Sequence, residues 1–352
     1  MRARFEIGPI RPPSEGGINS LLIRVNRNCP WNRCRFCRVY KGEKFYYRTP
    51  EEVISDIDNV RAIAEFIKNL SWRAGFGGRI DSLFGSYIVK NKPDLSTDPC
   101  FVLVFNWLYS GGKTVFLQDA DPLIMRTKDL IKVVSYLKKS FPSIRRITSY
   151  ARIKSIKRKS IEELREIREA GLSRLHAGIE SGDEEILRRV EKGITPEEQV
   201  EGGRKAIEAG FELSLYIMPD LGGEEFSERN AINTAKVLNE INPHYIRVRP
   251  FIPSIGSPMY EEYKEGKIKL SSPRKRLMEI KRLAQALDVS SRICFDHMAN
   301  PYLKGGIPLL RPDYEGYKLP EEKEILLQDI DRALNIPEDK FVKPEDLVGM
   351  TL

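Results

Sequence analysis

No stretch of the 352-residue chain is long and apolar enough to cross a bilayer. The best candidate, Phe101–Leu108, is interrupted by Asn106 and falls far short of the roughly 18 residues a span needs. The N-terminus, Met1-Arg-Ala-Arg-Phe-Glu-Ile-Gly-Pro, has no apolar leader. The expectation is therefore a cytoplasmic protein without secretion. Cysteine is sparse and odd in number: Cys29, Cys34, Cys37, Cys100 and Cys294. That count, with three of the five clustered, argues against a disulfide framework and for metal binding or chemistry. Histidine (3) and glutamine are scarce beside abundant Lys, Arg, Glu and Ile, a bias that fits a thermophilic source. No internal repeat or low-complexity tract is present.

Hydrophobic residues make up 41% of the chain and charged residues 31%, which excludes global disorder. Lys+Arg exceeds Asp+Glu by 58 − 50 = +8. This balance allows an anionic partner such as RNA, but the charges are interleaved and read mostly as solvated helix faces.

Residues 1–18, rich in Pro and Gly, read as a loose N-terminal arm. Leu21–Val25 is a short strand. A capping box (Thr49, Glu52) with Pro50 opens a helix to about Leu70. Residues 71–112 break the rhythm and read as a helical insertion, either a lid over a site or a structural hairpin. From Lys113 onward strands alternate with helices: Thr114–Leu117, Ile144–Tyr150, Ser173–Ile179, Glu212–Met218 and His244–Val248 each precede helical material. With the first strand these are six strand–helix units. They predict an α/β fold with a parallel sheet, either doubly wound or an incomplete barrel, with chemistry at the C-terminal strand ends. Residues 288–352 read as an irregular Pro-rich C-terminal extension with one acidic helix, Pro320–Ala333.

The strongest signal is Cys29-Pro-Trp-Asn-Arg-Cys34-Arg-Phe-Cys37, a Cys-x4-Cys-x2-Cys run directly after the first strand. Three thiolates in one short loop suit a four-iron cluster with one iron left open. Zinc would need a fourth ligand from His176, His244, His297, Cys100 or Cys294, none at finger spacing. Inert thiols are the remaining reading.

The run resembles the cluster motif of radical S-adenosylmethionine (radical SAM) enzymes, whose usual spacing is Cys-x3-Cys-x-aromatic-Cys. Here the first gap has one extra residue, while Phe36 keeps the aromatic before the last Cys. The resemblance covers roughly residues 20–260, and it is to uncharacterised stand-alone prokaryotic members. It implies a partial (β/α)6 TIM-like barrel over residues 19–287, with the 71–112 insertion. It also implies a [4Fe–4S] cluster on Cys29, Cys34 and Cys37 and S-adenosylmethionine (SAM) on the open iron. The activity implied is one-electron cleavage of SAM to a 5′-deoxyadenosyl radical, under anaerobic conditions and with a reductant such as ferredoxin or flavodoxin.

The other motifs fall at strand ends. Gln118-Asp119-Ala120-Asp121 resembles the family's Gly-Gly-Glu-Pro stretch, without its glycines; a helix-capping loop is the alternative. Ser149 ends the third strand as a ligand or turn hydroxyl. Glu180-Ser181-Gly182 is similar to the family's Gly-x-Glu-Ser-Gly segment beside SAM. Lys192 matches a basic position for the SAM carboxylate, with a surface role as the alternative. Met218-Pro-Asp-Leu-Gly-Gly resembles the turn beside adenine. The resemblance thus assigns Phe36, Gln118, Asp119, Ala120, Asp121, Ser149, Glu180, Ser181, Lys192 and Met218 to SAM. Arg247 and Arg249, at i, i+2 on one strand face, are candidates for an anionic substrate group or for an ion pair. Asp296 and His297 are candidates for proton relay.

The substrate stays open, because this fold class hosts many reactions. The Cys run begins at residue 29, so the sequence reading expects no preceding cobalamin domain and no cobalamin-dependent methyl transfer. Two alternatives are an RNA-modifying radical enzyme and a non-catalytic, metal-stabilised RNA-binding protein. Both draw on the basic run Arg152–Lys159.

Overall fold

The computed structural model describes residues 3–10 and 20–350. Eight strands form one sheet whose order is the order of the chain: β1 (Ser20–Arg24), β2 (Thr114–Gln118), β3 (Arg146–Tyr150), β4 (Leu172–Glu180), β5 (Glu212–Ile217), β6 (Tyr245–Val248), β7 (Arg292–Cys294) and β8 (Tyr317–Lys318). This is the strand order of a partial (β/α) barrel. The chain divides into two compact units, with β4 starting in the first and ending in the second.

In the first unit β1, β2 and β3 run parallel, with Leu22 opposite Phe116 and Phe116 opposite Thr148. These strands are almost wholly buried, as parallel strands covered on both faces must be. Helix α1 (Pro50–Arg73) starts with the expected capping box of Thr49 and Glu52 and packs on α4 (Thr127–Ser140). The 71–112 segment is helical. It contains α2 (Ser82–Asn91) and α3 (Pro99–Tyr109), and α3 packs on α1 and β1. Fully buried Trp107 donates its indole N–H to the Thr114 carbonyl at 2.9 Å. Within its own unit α3 is thus core, as in the structural-hairpin reading.

The N-terminal arm needs correction where it is described. Residues 1–2 and 11–18 lie outside the described residues, but residues 3–10 are anchored rather than loose. Phe5 is buried, and Glu6 accepts from Arg24 and Arg27 at 2.6–2.9 Å.

In the second unit the rest of β4 is followed by β5, β6 and β7. β5, β6 and β7 run parallel, in the registers Tyr216–Arg247 and Arg247–Cys294. Residues 288–352 are less irregular than the sequence indicates, because Arg292–Cys294 extends the parallel sheet and β8 pairs antiparallel to it. Three residues are too few to show an alternating pattern, so β7 leaves little trace in the sequence.

After β3 come α5 (Ile153–Arg158), which belongs to the second unit, and α6 (Ile161–Ala170), which belongs to the first apart from Ile161. In the second unit α7 (Glu184–Arg189) and α8 (Pro196–Glu208) follow β4, and α9 (Ser227–Ile241) and α10 (Pro273–Ala286) come later. Gly202 and Gly203 sit mid-helix in α8, where glycine costs about 1 kcal/mol. A Cβ on Gly202 would meet the Ile153 backbone at 2.9 Å, and one on Gly203 would meet Ile241 at 2.8 Å. Only glycine lets α8 approach α5 and α9 this closely.

A buried charge network ties the turn after β5 to α10. Asp220 accepts from Arg276 at 2.7 and 3.0 Å and from the Ser271 N–H, while the Asp220 N–H donates to Glu279. Burial, followed by the Asp220 charge, pushes Glu279 up to about 8. A carboxyl raised in the folded state binds its proton more tightly there than when unfolded. Its contribution is therefore fully present below the unfolded pKa and is lost as pH rises toward 8. Urea unfolding of Glu279→Gln should show a stability gain over the parent that grows between about pH 5 and about pH 8. A gain independent of pH would contradict this.

Candidate active site

The second unit contains the loop 31–43 with two of the clustered cysteines. The loop is pinned from both sides: the Arg35 N–H donates to the Val190 carbonyl at 2.9 Å, and the Met259 N–H donates to the Arg35 carbonyl at 3.1 Å. The Cys37 N–H reaches the Cys34 carbonyl at 3.3 Å, so the two cysteines flank one tight turn. Trp31, inside the first Cys gap, donates to the Glu191 carbonyl at 2.8 Å and stacks under Arg152 at 5.0 Å. A Cβ on Gly193 would lie 2.3 Å from the Trp31 ring. Phe36 packs on the cluster of Ile186, Val190, Leu221, Phe226 and Phe251.

The end of β4 meets this loop. Glu180 holds a positive φ of 64°, a strained conformation for a non-glycine residue, and accepts from Lys192 Nζ at 2.6 Å. The Met218 N–H donates to the Glu180 carbonyl at 2.7 Å, which fixes the strained turn to the end of β5. Lys192 also lies over the Phe36 ring at 5.8 Å. Burial opposes the Lys192 charge, but Glu180 and Cys34 hold its pKa above the ordinary lysine value. Burial raises the Cys34 thiol, and Lys192 pulls it back down.

Gly178 has no room for a side chain. A Cβ there would stand 1.9 Å from Glu180 Oε1 and 3.1 Å from Lys192 Nζ. Gly178→Ala should displace the Glu180–Lys192 pair while leaving the fold intact, since the group in the way is the far end of a flexible side chain. The resemblance implies that this pair meets SAM; on that expectation, SAM affinity of the reconstituted protein should fall about tenfold, the scale of losing one charge-assisted contact. Unchanged affinity would detach the pair from SAM.

In the first unit Cys29 follows Asn28, which is itself fixed. The Asn28 N–H donates to Asp119 Oδ2 at 3.3 Å, and its side-chain amide donates to the Lys44 carbonyl at 2.6 Å. Asp119 is fully buried and takes Arg24 Nε at 2.6 Å. The Asp121 carbonyl accepts from Asn26. The Gln118 side chain is engaged with the N-terminal segment, bonding the backbone of Gly8 and Ile10 at 2.8–3.0 Å. Within this unit the Gln118–Asp121 stretch therefore anchors the arm and the start of the Cys loop. Ala120 is half-buried, and the Oγ of buried Ser149 has no hydrogen-bond partner among the described residues.

Other candidates fall out differently. Ser181 donates to Asn230 Oδ1 at 2.6 Å and accepts the Asp183 N–H, so it serves the start of α7. Arg247 pairs with Asp296 at 2.9 Å. Asp296 is not joined to His297 through Nδ1, because that atom accepts the Ala299 N–H. Burial, with Arg249 adding to it, lowers His297 to about 3, so the imidazole is neutral. The basic run is largely engaged: Arg152 stacks on Trp31, Lys154 donates to the Gly193 carbonyl, and Lys157 pairs with Glu198. Sequence reasoning missed Trp31 and the Asp220–Arg276–Glu279 network. Trp31 sits within the motif itself, whereas nothing in the sequence marks Arg276.

Among the described residues, no three His, Cys, Asp or Glu side chains converge on a point that could hold a single metal ion. A cubane sets a different test, because its thiolates bind separate irons at separate corners. The donor set fits that group: two half-buried cysteines share a turn beside a buried cation, and a third lies five residues earlier in the chain. Burial pushes Cys294 to about 12 and also raises Cys100, so neither offers a ready spare thiolate.

Residues 105–234 match the model of the radical SAM superfamily. This segment belongs to the radical SAM superfamily. Superfamily members are enzymes that use a [4Fe–4S] cluster and SAM. The matched segment contains Gln118–Asp121, Glu180, Lys192 and Met218, and the Cys run lies outside it. No curated protein matches the chain. Among solved structures, the archaeal Methanocaldococcus infernus Elp3 lacking residues 1–46 shares 16% identity at a TM-score of 0.44, covering 62% of this chain and 54% of that one. Methylornithine synthase (PylB) shares 17% at 0.44, covering 90% and 72%. Coproporphyrinogen III oxidase (HemN) from Escherichia coli shares 16% at 0.44, covering 76% and 52%. The chain thus spans about half the length of the Elp3 and HemN structures. At these identities the likenesses say nothing of the reaction. No described helix is long and apolar enough to cross a membrane.

Proposed function

We propose that the chain is a radical SAM enzyme whose [4Fe–4S] cluster rests on Cys29, Cys34 and Cys37, and that it acts on a substrate still to be identified. The reading rests on one observation above all. Cys34 and Cys37 lie on one turn beside the Lys192–Glu180 pair, at the end of a strand inside the superfamily segment. Held by these three thiolates and reduced, a cluster would supply the electron for one-electron cleavage of SAM and so for hydrogen abstraction from the substrate.

The protein's own part is to bind and orient. The Cys loop is held by Val190 and Met259, so its thiolates are presented on a fixed frame. Lys192 remains charged beside Cys34, where it offsets thiolate charge and is placed to meet a carboxylate. Phe36 and its apolar neighbours limit water on that side of the loop. Strained Glu180 presents an acceptor suited to a ribose diol. An acidic reductant of the ferredoxin or flavodoxin type would match the Arg- and Lys-rich loop Arg33–Lys44.

The test is anaerobic reconstitution followed by iron and sulfide analysis. Dithionite and SAM are then added and 5′-deoxyadenosine is quantified. About four irons per chain, with deoxyadenosine formed, supports the reading. Absence of iron, or iron without SAM cleavage, overturns it.

A further inference from the structure

The β5–β6–β7 face that carries Tyr216, Arg247 and Cys294 is polar, while the alternate positions Leu215, Ile246 and Ile293 are apolar and fully buried. The His176 ring on β4 has its centre 6.2 Å from that of Tyr216, and His176 shares its strand face with Gly178, whose Cβ direction runs into Glu180 Oε1 and Lys192 Nζ. Arg247 therefore stands on the same face of the sheet as the Glu180–Lys192 pair.

Arg247 is 1% exposed, and its guanidinium is only half used. Nη1 donates to Asp296 at 2.9 Å and to the Tyr314 carbonyl at 3.0 Å. The guanidinium sits in a corner of the Tyr245 and Tyr314 rings, at 5.0 and 4.0 Å. Nε and Nη2 are buried and have no hydrogen-bond partner among the described residues. Those two atoms form the side-on edge of the guanidinium, the edge that takes two oxygens of one planar oxyanion. Leaving charged donors buried and unpaired is costly, so the edge calls for an acceptor.

Charge counting selects the acceptor. The strand face expected to carry both arginines ends before the second: β6 stops at Val248, and Arg249 follows it, half-buried, with its charge acting on His297 and no ion pair among the described residues. Asp296 supplies one negative charge and His297 is neutral. Two further acids act on this group, and both are exposed and engaged elsewhere: Asp313 caps the Glu315 and Gly316 N–H groups, and Glu315 pairs with Arg292. The cluster is thus one negative charge short. A carboxylate balances it, a phosphate dianion overshoots, and a neutral amide leaves the charge unmatched.

We infer that the substrate carries a carboxylate, gripped by the Nε/Nη2 edge of Arg247 with Arg249 balancing its charge. This inference rests on the proposed reading of this face as the substrate side of the site.

The test uses the full chain, before and after cluster reconstitution, with isotopically labelled acetate as the probe in ligand-observed NMR. Acetamide, inorganic phosphate and methionine are run in parallel. Acetate should bind the parent, and Arg247→Lys should weaken it at least about tenfold. That variant keeps the charge and the Asp296 contact but loses the side-on edge. Arg204→Ala, on the exposed face of α8, should change nothing. Should Arg247→Lys fail to fold by circular dichroism, Arg249→Met should still weaken acetate. Equal acetate binding in the folded Arg247→Lys chain, tighter binding of phosphate than acetate, or no acetate binding to the parent overturns the inference. So does displacement of acetate by methionine, because the carboxylate would then belong to SAM. Acetate binding needs no cluster, so failure here is distinguishable from failure to assemble iron or cleave SAM.

Discussion

Replacing Cys34 with alanine is expected to abolish cluster assembly and SAM cleavage while leaving the fold in place. Loss of groups that merely support a metal ligand typically costs ten- to a hundredfold, so losing a ligand should cost at least about a hundredfold in deoxyadenosine formation. The fold should survive for local reasons. Cys34 is half-buried, and its loop is held by backbone bonds through Arg35 and Met259 and by the Trp31 ring. Iron per chain, the visible absorption of the cluster and thermal melting of the metal-free protein separate the two effects. Cys100→Ser is the matched control: that thiol is buried and donates to the Phe5 carbonyl, a bond a hydroxyl can keep. If Cys34→Ala retains iron and cleavage while Cys100→Ser loses them, the assigned ligand set is wrong.

The second large effect is on stability. Arg276→Met should destabilise the protein by about 3–5 kcal/mol, the usual cost of removing one partner of a buried ion pair. Both side chains are at most 2% exposed, and Arg276 makes two bonds to Asp220 and one to the Phe251 carbonyl. Methionine fills similar volume but leaves Asp220 charged and enclosed. Adding Asp220→Asn should recover part of the loss, because asparagine tolerates the positive φ of 67° at that turn and no longer carries a stranded charge. Urea titrations of the single and double variants give the coupling between the two sites. A loss below about 1 kcal/mol for Arg276→Met would mean that the pair is not the strut it appears in the contacts.

The fold was largely legible in the chain. Each of the six expected strands is present within two residues of its expected limits, because a parallel strand buried on both faces must be a short apolar run bounded by turn residues. The helix start at Thr49 was legible for an equally local reason: a capping box needs only four consecutive residues. What escaped was short or non-local. β7 is three residues long, α5 is six, and β8 pairs through a register that no local pattern encodes. The arm was misread because Pro and Gly report local flexibility, whereas Glu6 and Gly8 are held by residues 18 to 110 positions away.

The candidate site divides in the same way. The Cys spacing, the aromatic Phe36 and the acidic strand end at Glu180 could be read directly, since ligand chemistry depends on residue type and short spacing. The roles of individual side chains could not, because they depend on which partner the tertiary structure brings near. Gln118 is engaged with the arm, Ser181 with Asn230 and Asp296 with Arg247, while Lys192 comes beside both Glu180 and Cys34. By itself the sequence determined the strand–helix alternation, the thiolate trio and the absence of a membrane-spanning run, all properties of composition and near neighbours. Only the tertiary structure decided which polar groups are already satisfied and which, like the Arg247 edge, are buried without a partner, because hydrogen-bond satisfaction is settled by contacts between residues far apart in the chain.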